Sequence, residues 1–457
     1  MKFDRFNEMF EYYAENGNGT ALEYDEGNGL CKMSYRELLE AVISKTDELK
    51  ALGKTSIGIF CSSKKECIIT FFAAVNAGMQ IVMLDDSLSD DTVKLQIEKA
   101  DVDTLFGDAD TVADFESCLT AGVEKDAGRI LFFTSGTTSA SKAVVLTEQS
   151  LCASAYNGSE KLPISPDDKL FCILPLSHVF GFVCSLLWGL SCGATVALSR
   201  GQRYITQDFG YFKPTAVSLV PTLLGFLLKN ELLNEELKLI LVGAGDCPES
   251  ILTAAAELGK RVCFGYGLTE TSSGVAISVE GDPHAMEICP EDEIKLAEDG
   301  EILIKAPTCI MQGYYKDEES TAEAIKDGWF YSGDLGSFDY EGKLYITGRK
   351  KEILVLPTGT KIFLPEYEGA IAKALGNDEL AVILLRGKPV LVIRESEDDS
   401  LELYEKVAEV MRELPASHRL SQVVFKQEPL PRTPTGKIKR WEIQKTEEEK
   451  YGNTDEI

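Results

Sequence analysis

Residues 134 to 143 read TSGTTSASKA, a run of hydroxyls with one glycine that closes on Lys142. Backbone amides, hydroxyls and an ammonium crowded this closely suit an anion such as phosphate. The common nucleotide loop has a second glycine followed by Lys and Ser or Thr. Here Gly136 has no such partner, and Lys142 is followed by Ala143. Two further segments share the character: GAGD at 243 to 246 and GYGLTETSS at 265 to 273. Each follows an apolar run and sets small or hydroxyl residues where backbone must come close to a ligand. Any one of them alone reads better as a polar turn. Three in order point to chemistry at strand ends, where α/β sheets bind ligands.

The elements that must carry these loops are legible as alternation. SIGIFC, QIVMLD, RILFFT, KLFCIL, ATVALS, AVSLVP, LKLILV and RVCFGY are short apolar runs, most of them separated by helical stretches. They include CIITFFAAVNAG and a helix near 147 to 157. Such runs predict central strands of largely parallel sheets. After about residue 274 the pattern turns to short strands and turns, a β-rich subdomain at about 275–348. A boundary is expected at Gly348 and Arg349, with a compact α+β unit of three strand-like runs and two helices over 349–457. The tail from Lys445 is expected to fray. Leu170 to Ser199 carries no formal charge, but Pro175, Ser177 and His178 break it, so strand, loop, buried helix and strand are expected rather than a membrane span.

The bulk composition narrows the function. At 457 residues the chain has room for two or three domains. A formal charge of −28 argues against nucleic acid and against a polybasic membrane contact. Lys142 and GRKKE at 348 to 352 therefore stand out as local cations. The 12 cysteines are scattered, with no CxxC pair, so reduced buried thiols and a cytoplasmic location are expected. The N-terminus has no apolar signal segment.

Seven segments together resemble the adenylate-forming superfamily of acyl-CoA synthetases, adenylation domains and beetle luciferases. They are FFTSGTTSASKAVVLT, LPLSHVFG, VSLVPTLL, GYGLTETSS, GEILIKAPTCIMQGYYKDEESTAEAIKDGWFYSGDLG, YITGRKKEILVLPTGTKIFLPEYE and PLPRTPTGKIKR, from about residue 129 to 441. The resemblance implies an α/β fold. Its large N-terminal domain, residues 1–348, has two αβ-layered sheets plus the β-rich subdomain, and a small mobile α+β domain follows.

It also implies a reaction, in which a carboxylate attacks ATP, pyrophosphate leaves, and the acyl group passes from AMP to a thiol. On that resemblance, Thr134, Ser135, Gly136, Thr137, Thr138 and Lys142 grip the β,γ-phosphates. Tyr266, between Gly265 and Gly267, stacks on adenine, and Gly243, Ala244 and Gly245 line its other side. Thr269 touches the α-phosphate, and Glu270 with Thr134 holds Mg²⁺. Asp334 takes the ribose hydroxyls, with Arg349 and Gly359 nearby. His178, Val179, Gly181 and Gly274 line the acyl pocket. Lys351 is the hinge, and Lys437 is the catalytic lysine, together with Lys142, Thr269 and Glu270.

Several positions depart from the pattern. Ser139, Ser141 and Ala143 replace the commoner Gly, Pro and Gly. Leu364 displaces a proline, Lys361 replaces an asparagine, and GDPHAMEICPED lacks a glycine-rich turn. The neutral wall from Leu170 to Ser199 offers no acid for an amino acid's ammonium. The expected substrate is thus a fatty or related apolar acid, with ATP, Mg²⁺ and coenzyme A. The alternatives are transfer to an acyl carrier protein and a non-catalytic nucleotide-binding scaffold; a P-loop hydrolase lacks its loop.

Overall fold

The computed structural model describes residues 1–452 apart from 18, 62–63, 126, 135–140, 246, 356–360, 395–399, 414–419 and 433–437. Two large sheets organise most of it. The nine-stranded sheet runs Glu287–Ile288, Ser273–Ile277, Arg261–Leu268, Leu239–Val242, Ala216–Leu219, Lys169–Cys172, Thr195–Leu198, Thr20–Asp25 and Leu30–Ser34. The six-stranded sheet runs Gly313–Tyr314, Ala143–Leu146, Ile130–Phe133, Gln80–Leu84, Ser56–Phe60 and Thr104–Phe106.

Pairing is parallel through the middle of both sheets and antiparallel at both ends of the nine-stranded sheet and at the Gly313–Tyr314 end of the six-stranded one. The middle strands are buried along their length, as Val- and Ile-rich runs covered on both faces must be.

The expected elements appear, with one consequential difference. The TSGTTSASKA segment does not pass from strand to helix. Ala143–Leu146 is a strand, and it pairs antiparallel with Ile130–Phe133, Phe133 opposite Ala143. A run of four apolar residues is too short to declare itself beside the helix Glu148–Lys161 that follows. The helix starts on Thr147, whose hydroxyl accepts from the Ser150 amide while the Ser150 hydroxyl accepts from the Thr147 amide.

The uncharged stretch folds as the strand Lys169–Cys172, a loop, a continuous helix from Val179 to Ser191, and the strand Thr195–Leu198. The helix widens to a π turn over Val183–Leu187, and the Cys184 carbonyl accepts from the Ser218 hydroxyl at 2.7 Å. Among the described residues no helix is long and apolar enough to cross a membrane. Phe182 sets its ring 4.4 Å from Phe71 and 5.7 Å from Phe132. With Phe6 and Phe72 it forms an aromatic core between the helix Lys64–Asn76 and the strand Ile130–Phe133.

The β-rich part is a five-stranded sheet of Glu293–Leu296, Glu301–Lys305, Trp329–Phe338, Ile325–Lys326 and Leu344–Arg349. By contacts the chain divides into two compact units. One holds Met1–Thr134, Lys142–Ser332 and Ser337–Tyr345; the other holds Ser135–Ser141, Gly333–Gly336 and Ile346–Ile457. The second unit is built on Leu380–Leu385, Lys388–Arg394 and Gln422–Lys426. Alternation splits its core: Val382, Leu391 and Ile393 face one cluster, while Ala381, Ile383, Val390 and Val392 face another with Leu430 and Ile443.

Among the described residues this unit carries three helices rather than the two expected, Leu364–Leu375, Ser400–Glu413 and Arg440–Gly452. The charged tail expected to fray is helical to Gly452, since Ile443 docks into the core and Glu447 pairs with Lys426.

The cysteines also depart from a wholly reduced set. Cys61 and Cys67 form a disulfide across the start of the helix Lys64–Asn76, and the other ten are thiols.

Candidate active site

Thr134 and Lys142 close the base of the first loop. The Thr134 amide donates to the Lys142 carbonyl at 2.9 Å, and the Lys142 amide donates to the Thr134 hydroxyl at 3.2 Å. Ser135, Gly136, Thr137 and Thr138, assigned above to phosphate, lie outside the described residues, as do Gly359 and Lys437.

The edge strand Gly313–Tyr314 pairs with Val145 and Val144 beside this hairpin. Its Tyr314 ring lies 4.4 Å beneath the Lys142 ammonium. The Tyr314 hydroxyl donates to Glu270 Oε1 at 2.7 Å, and the Glu270 carbonyl accepts from the Met311 amide at 2.8 Å. Thr134, Lys142 and Glu270, 136 residues apart at the extremes, are thus gathered through one tyrosine. Burial and the Glu270 charge push the Tyr314 phenol well above its ordinary pKa, so it stays a donor.

The turn that presents Glu270 is stitched by its own hydroxyls. Arg261–Leu268 reverses through Thr269–Thr271 into the antiparallel strand Ser273–Ile277. Thr271, fully buried, accepts from the Leu268 amide and donates to the Ser273 carbonyl at 2.8 Å. Ser272 takes a left-handed conformation, φ 54°, and donates to the Cys309 carbonyl at 2.7 Å. These two hydroxyls build the turn, whereas Thr269 is half-buried and Glu270 buried at its head. Gly267 is required here, because a β-carbon would stand 1.7 Å from the Ser273 carbonyl oxygen.

Tyr266 is buried between Gly265 and Gly267 on the same strand. Gly243 opens the neighbouring loop, its amide bonded to the Leu219 carbonyl at 3.1 Å, and Ala244 holds a left-handed φ of 62°. A β-carbon on Gly243 would sit 2.9 Å from the Phe180 ring. Gly245 lies by Pro221.

The helix bearing Val179, Phe180 and Gly181 therefore abuts this loop. Gly181 lets that helix approach, since a β-carbon there would be 2.1 Å from the Pro175 oxygen. Cys184 Sγ lies 3.2 Å from the Ser273 hydroxyl. Gly274 has space around it: a β-carbon would meet only the Tyr266 oxygen, at 3.9 Å.

His178 stands just before this helix, and its Nε2 lies 3.2 Å from Asp85 Oδ2 at the end of the strand Gln80–Leu84. Burial works to raise the Asp85 carboxyl. Hydrogen bonds from His178 and from the Ser87 hydroxyl and amide outweigh it and bring it to about 2.

In the second unit Asp334 and Arg349 meet directly, Oδ1 to Nε at 2.6 Å. Lys351 lies two residues on, in the single turn Lys350–Glu352.

Sequence reading missed three residues: Tyr314, which lay within a matched segment without a role, and Asp85 and Phe180. The signal for Asp85 was its place at the end of an apolar run.

Among the described residues no three His, Cys, Asp or Glu side chains gather as a metal site. One carboxylate, Glu270, beside hydroxyls suits a cation that takes its remaining oxygens from phosphate and water, the usual habit of Mg²⁺.

The AMP-binding enzyme family model matches residues 10–129 and 116–315. A 2-succinylbenzoate–CoA ligase of Listeria monocytogenes is 26% identical over 451 residues, covering 89% of this chain and 93% of that protein. The o-succinylbenzoate CoA synthetase MenE of Bacillus subtilis, solved with the acyl-adenylate intermediate OSB-AMP, superposes with a TM-score of 0.82 at 24% identity. That match covers 96% of this chain and 98% of the other. The same synthetase with ATP and magnesium ion gives 0.80 at 24%, covering 95% and 98%.

Proposed function

The chain belongs to the AMP-binding enzyme family, and on that premise we propose that it is an AMP-forming acid–thiol ligase. It activates a carboxylic acid with ATP, releases pyrophosphate, and transfers the acyl group to coenzyme A. The observation that carries the reading is the assembly of Thr134, Lys142, Tyr314 and Glu270 at the ends of two hairpins.

A carboxylate attacking a polyphosphate needs its charge offset and its partners aligned. Lys142 and the loop 134–142 hold the departing phosphates. Glu270, with Thr134, would hold Mg²⁺, which would offset phosphate charge. Tyr266 stacks on adenine against Gly243–Gly245, Thr269 meets the α-phosphate, and Asp334 with Arg349 takes the ribose. Lys437 meets the oxygens joining carboxylate and α-phosphate, and Lys351 is the hinge about which the small domain swings between the two half-reactions.

The acid is proposed to be aromatic or similarly compact, with an apolar body. The expected fatty acid gives way because the ligase and synthetase above are named for 2-succinylbenzoate. Phe180, two residues after His178, offers apolar surface toward Gly243, and Gly274 has open space around it. Coenzyme A is preferred over a carrier protein on the same names.

Pyrophosphate release tests the reading, run with 2-succinylbenzoate, benzoate and octanoate, and with coenzyme A or an acyl carrier protein as acceptor. Formation of AMP and a CoA thioester is expected. ADP with phosphate as products would overturn it.

A further inference from the structure

We infer that His178, oriented by Asp85, takes the proton of the acceptor thiol during thioester formation; the inference rests on the ligase reading above. The two half-reactions differ in what they ask of a base. An acid with a pKa of about 4 is already ionised at neutral pH, so adenylation has no proton to remove. A thiol near 8.5 is only a few per cent thiolate at pH 7, so its attack gains from a base.

The structure supplies one. Asp85 Oδ2 lies 3.2 Å from His178 Nε2, and the Ser87 hydroxyl and amide hold Asp85 Oδ1 at 2.6 and 3.0 Å. A carboxylate fixed in this way accepts the Nε2 proton, which leaves Nδ1 with the lone pair. This is the arrangement of a base oriented by a third group.

The imidazole also sits at the functional end of the fold. The next residues on its helix reach Gly243 through Phe180 and Ser273 through Cys184. Of the chain's other two histidines, His284 lies on a turn beside Phe264, and His418 is outside the described residues. Among the described residues Asp85 is the charged group in contact with His178, and Asp86 sets a like charge beside Asp85. The Lys64 ammonium donates to the carbonyl of Cys172, at the end of the strand Lys169–Cys172, and to that of Leu174, in the loop leading to His178.

The step balances. The thiol proton moves to Nδ1, and the sulfur pair forms the C–S bond. The acyl C–O bond to phosphate breaks with its electrons leaving on AMP, and the products are thioester, AMP and an imidazolium. Asp85 is a positioning residue that also steadies that cation.

The test separates the half-reactions. Acyl-adenylate is formed from 2-succinylbenzoate, benzoate or octanoate with ATP and Mg²⁺, read as pyrophosphate and by hydroxylamine trapping, and coenzyme A is then added from pH 6 to 9. His178→Gln is expected to slow thioester formation about 10²-fold at pH 7, more than it slows adenylation. Its rate then climbs about tenfold per pH unit toward the thiol pKa, where wild type is much shallower. Asp85→Asn is expected to shift the wild-type profile along the pH axis with a smaller loss, and it carries the test if His178→Gln does not fold. Parallel profiles in wild type and both variants, with equal losses in the two half-reactions, would overturn the dyad while leaving the ligase reading intact. No pyrophosphate from any of the three acids with wild type would instead overturn the reading and this inference with it.

Discussion

Arg349 Nε lies 2.6 Å from Asp334 Oδ1, and the pair is lopsided: the Asp334 side chain is 3% exposed and the Arg349 side chain 47%. A buried carboxylate is thus neutralised by a guanidinium that reaches in from solvent. Removing the cation leaves a buried charge short of an ion, which costs more than a surface pair repays. Arg349→Ala should lower the melting temperature and raise the KM for ATP about tenfold or more. Saturating ATP is expected to recover less stability than it gives wild type. An unchanged KM would take both residues out of the nucleotide site.

Tyr314 should separate two functions by substitution. Tyr314→Phe keeps the ring under Lys142 but deletes the hydroxyl that donates to Glu270. The stability loss should be about 1.5–3 kcal/mol, the usual net value of a hydrogen bond to a charged group. The Mg²⁺ concentration giving half-maximal pyrophosphate release should change, because the Glu270 carboxylate is no longer steered. Tyr314→Ala should add a loss in ATP affinity as Lys142 loses its aromatic seat. Identical Mg²⁺ titrations in wild type and Tyr314→Phe would make the tyrosine simple packing.

Asp292 gives the fold a built-in pH dependence. Burial, then the neighbouring Glu291 charge, raises its carboxyl to about 7, and Cys289 and Cys309 stand close by. The folded state holds the proton more tightly than the unfolded chain, whose Asp titrates near 3.9. Stability therefore falls as pH rises between about 4 and 7, by up to about 1.4 kcal/mol per unit, and then levels off. Asp292→Asn should flatten that slope and make the protein more stable than wild type at pH 8, as chemical denaturation across the range would report.

Gly267 and Gly274 flank the same turn with opposite tolerance. Gly267→Ala forces a β-carbon into the Ser273 carbonyl, so soluble yield or melting temperature should drop sharply. Gly274→Leu has room, so the protein should fold and its preference among acids should move toward smaller ones. An unchanged acid profile in folded Gly274→Leu would place the acyl pocket elsewhere.

Lys437 is expected to serve one half-reaction. Lys437→Ala should lose acyl-adenylate formation by about 10²-fold or more, the scale of one transition-state electrostatic contact. Supplied acyl-adenylate and coenzyme A should still give thioester. Equal loss in both halves would remove the alternating-pose role, and no loss in either would make Lys437 an ordinary surface residue.

The sequence by itself determined most of the central strands and where the ligand-facing turns fall among them. Burial on both faces demands unbroken apolar runs such as QIVML and LILV, and that demand is local. The segments at 134, 243 and 265 were visible for the same reason, since close backbone approach needs Gly, Ser or Thr at the spot itself, although the third keeps Gly265, Tyr266 and Gly267 on the strand and turns only at Thr269–Thr271.

What the sequence could not carry was which side chains meet. Asp85 and His178 are 93 positions apart, Thr134 and Glu270 136, and only the packing of the Val179–Ser191 helix and the edge pairing of Gly313–Tyr314 join them. The strand Ala143–Leu146 was hidden because four apolar residues fit helix or strand equally, and its partner Ile130–Phe133 decides. The roles of Thr271 and Ser272 were hidden too. A hydroxyl that stitches a turn and one that meets a ligand are the same letter until the turn's backbone fixes where each donates.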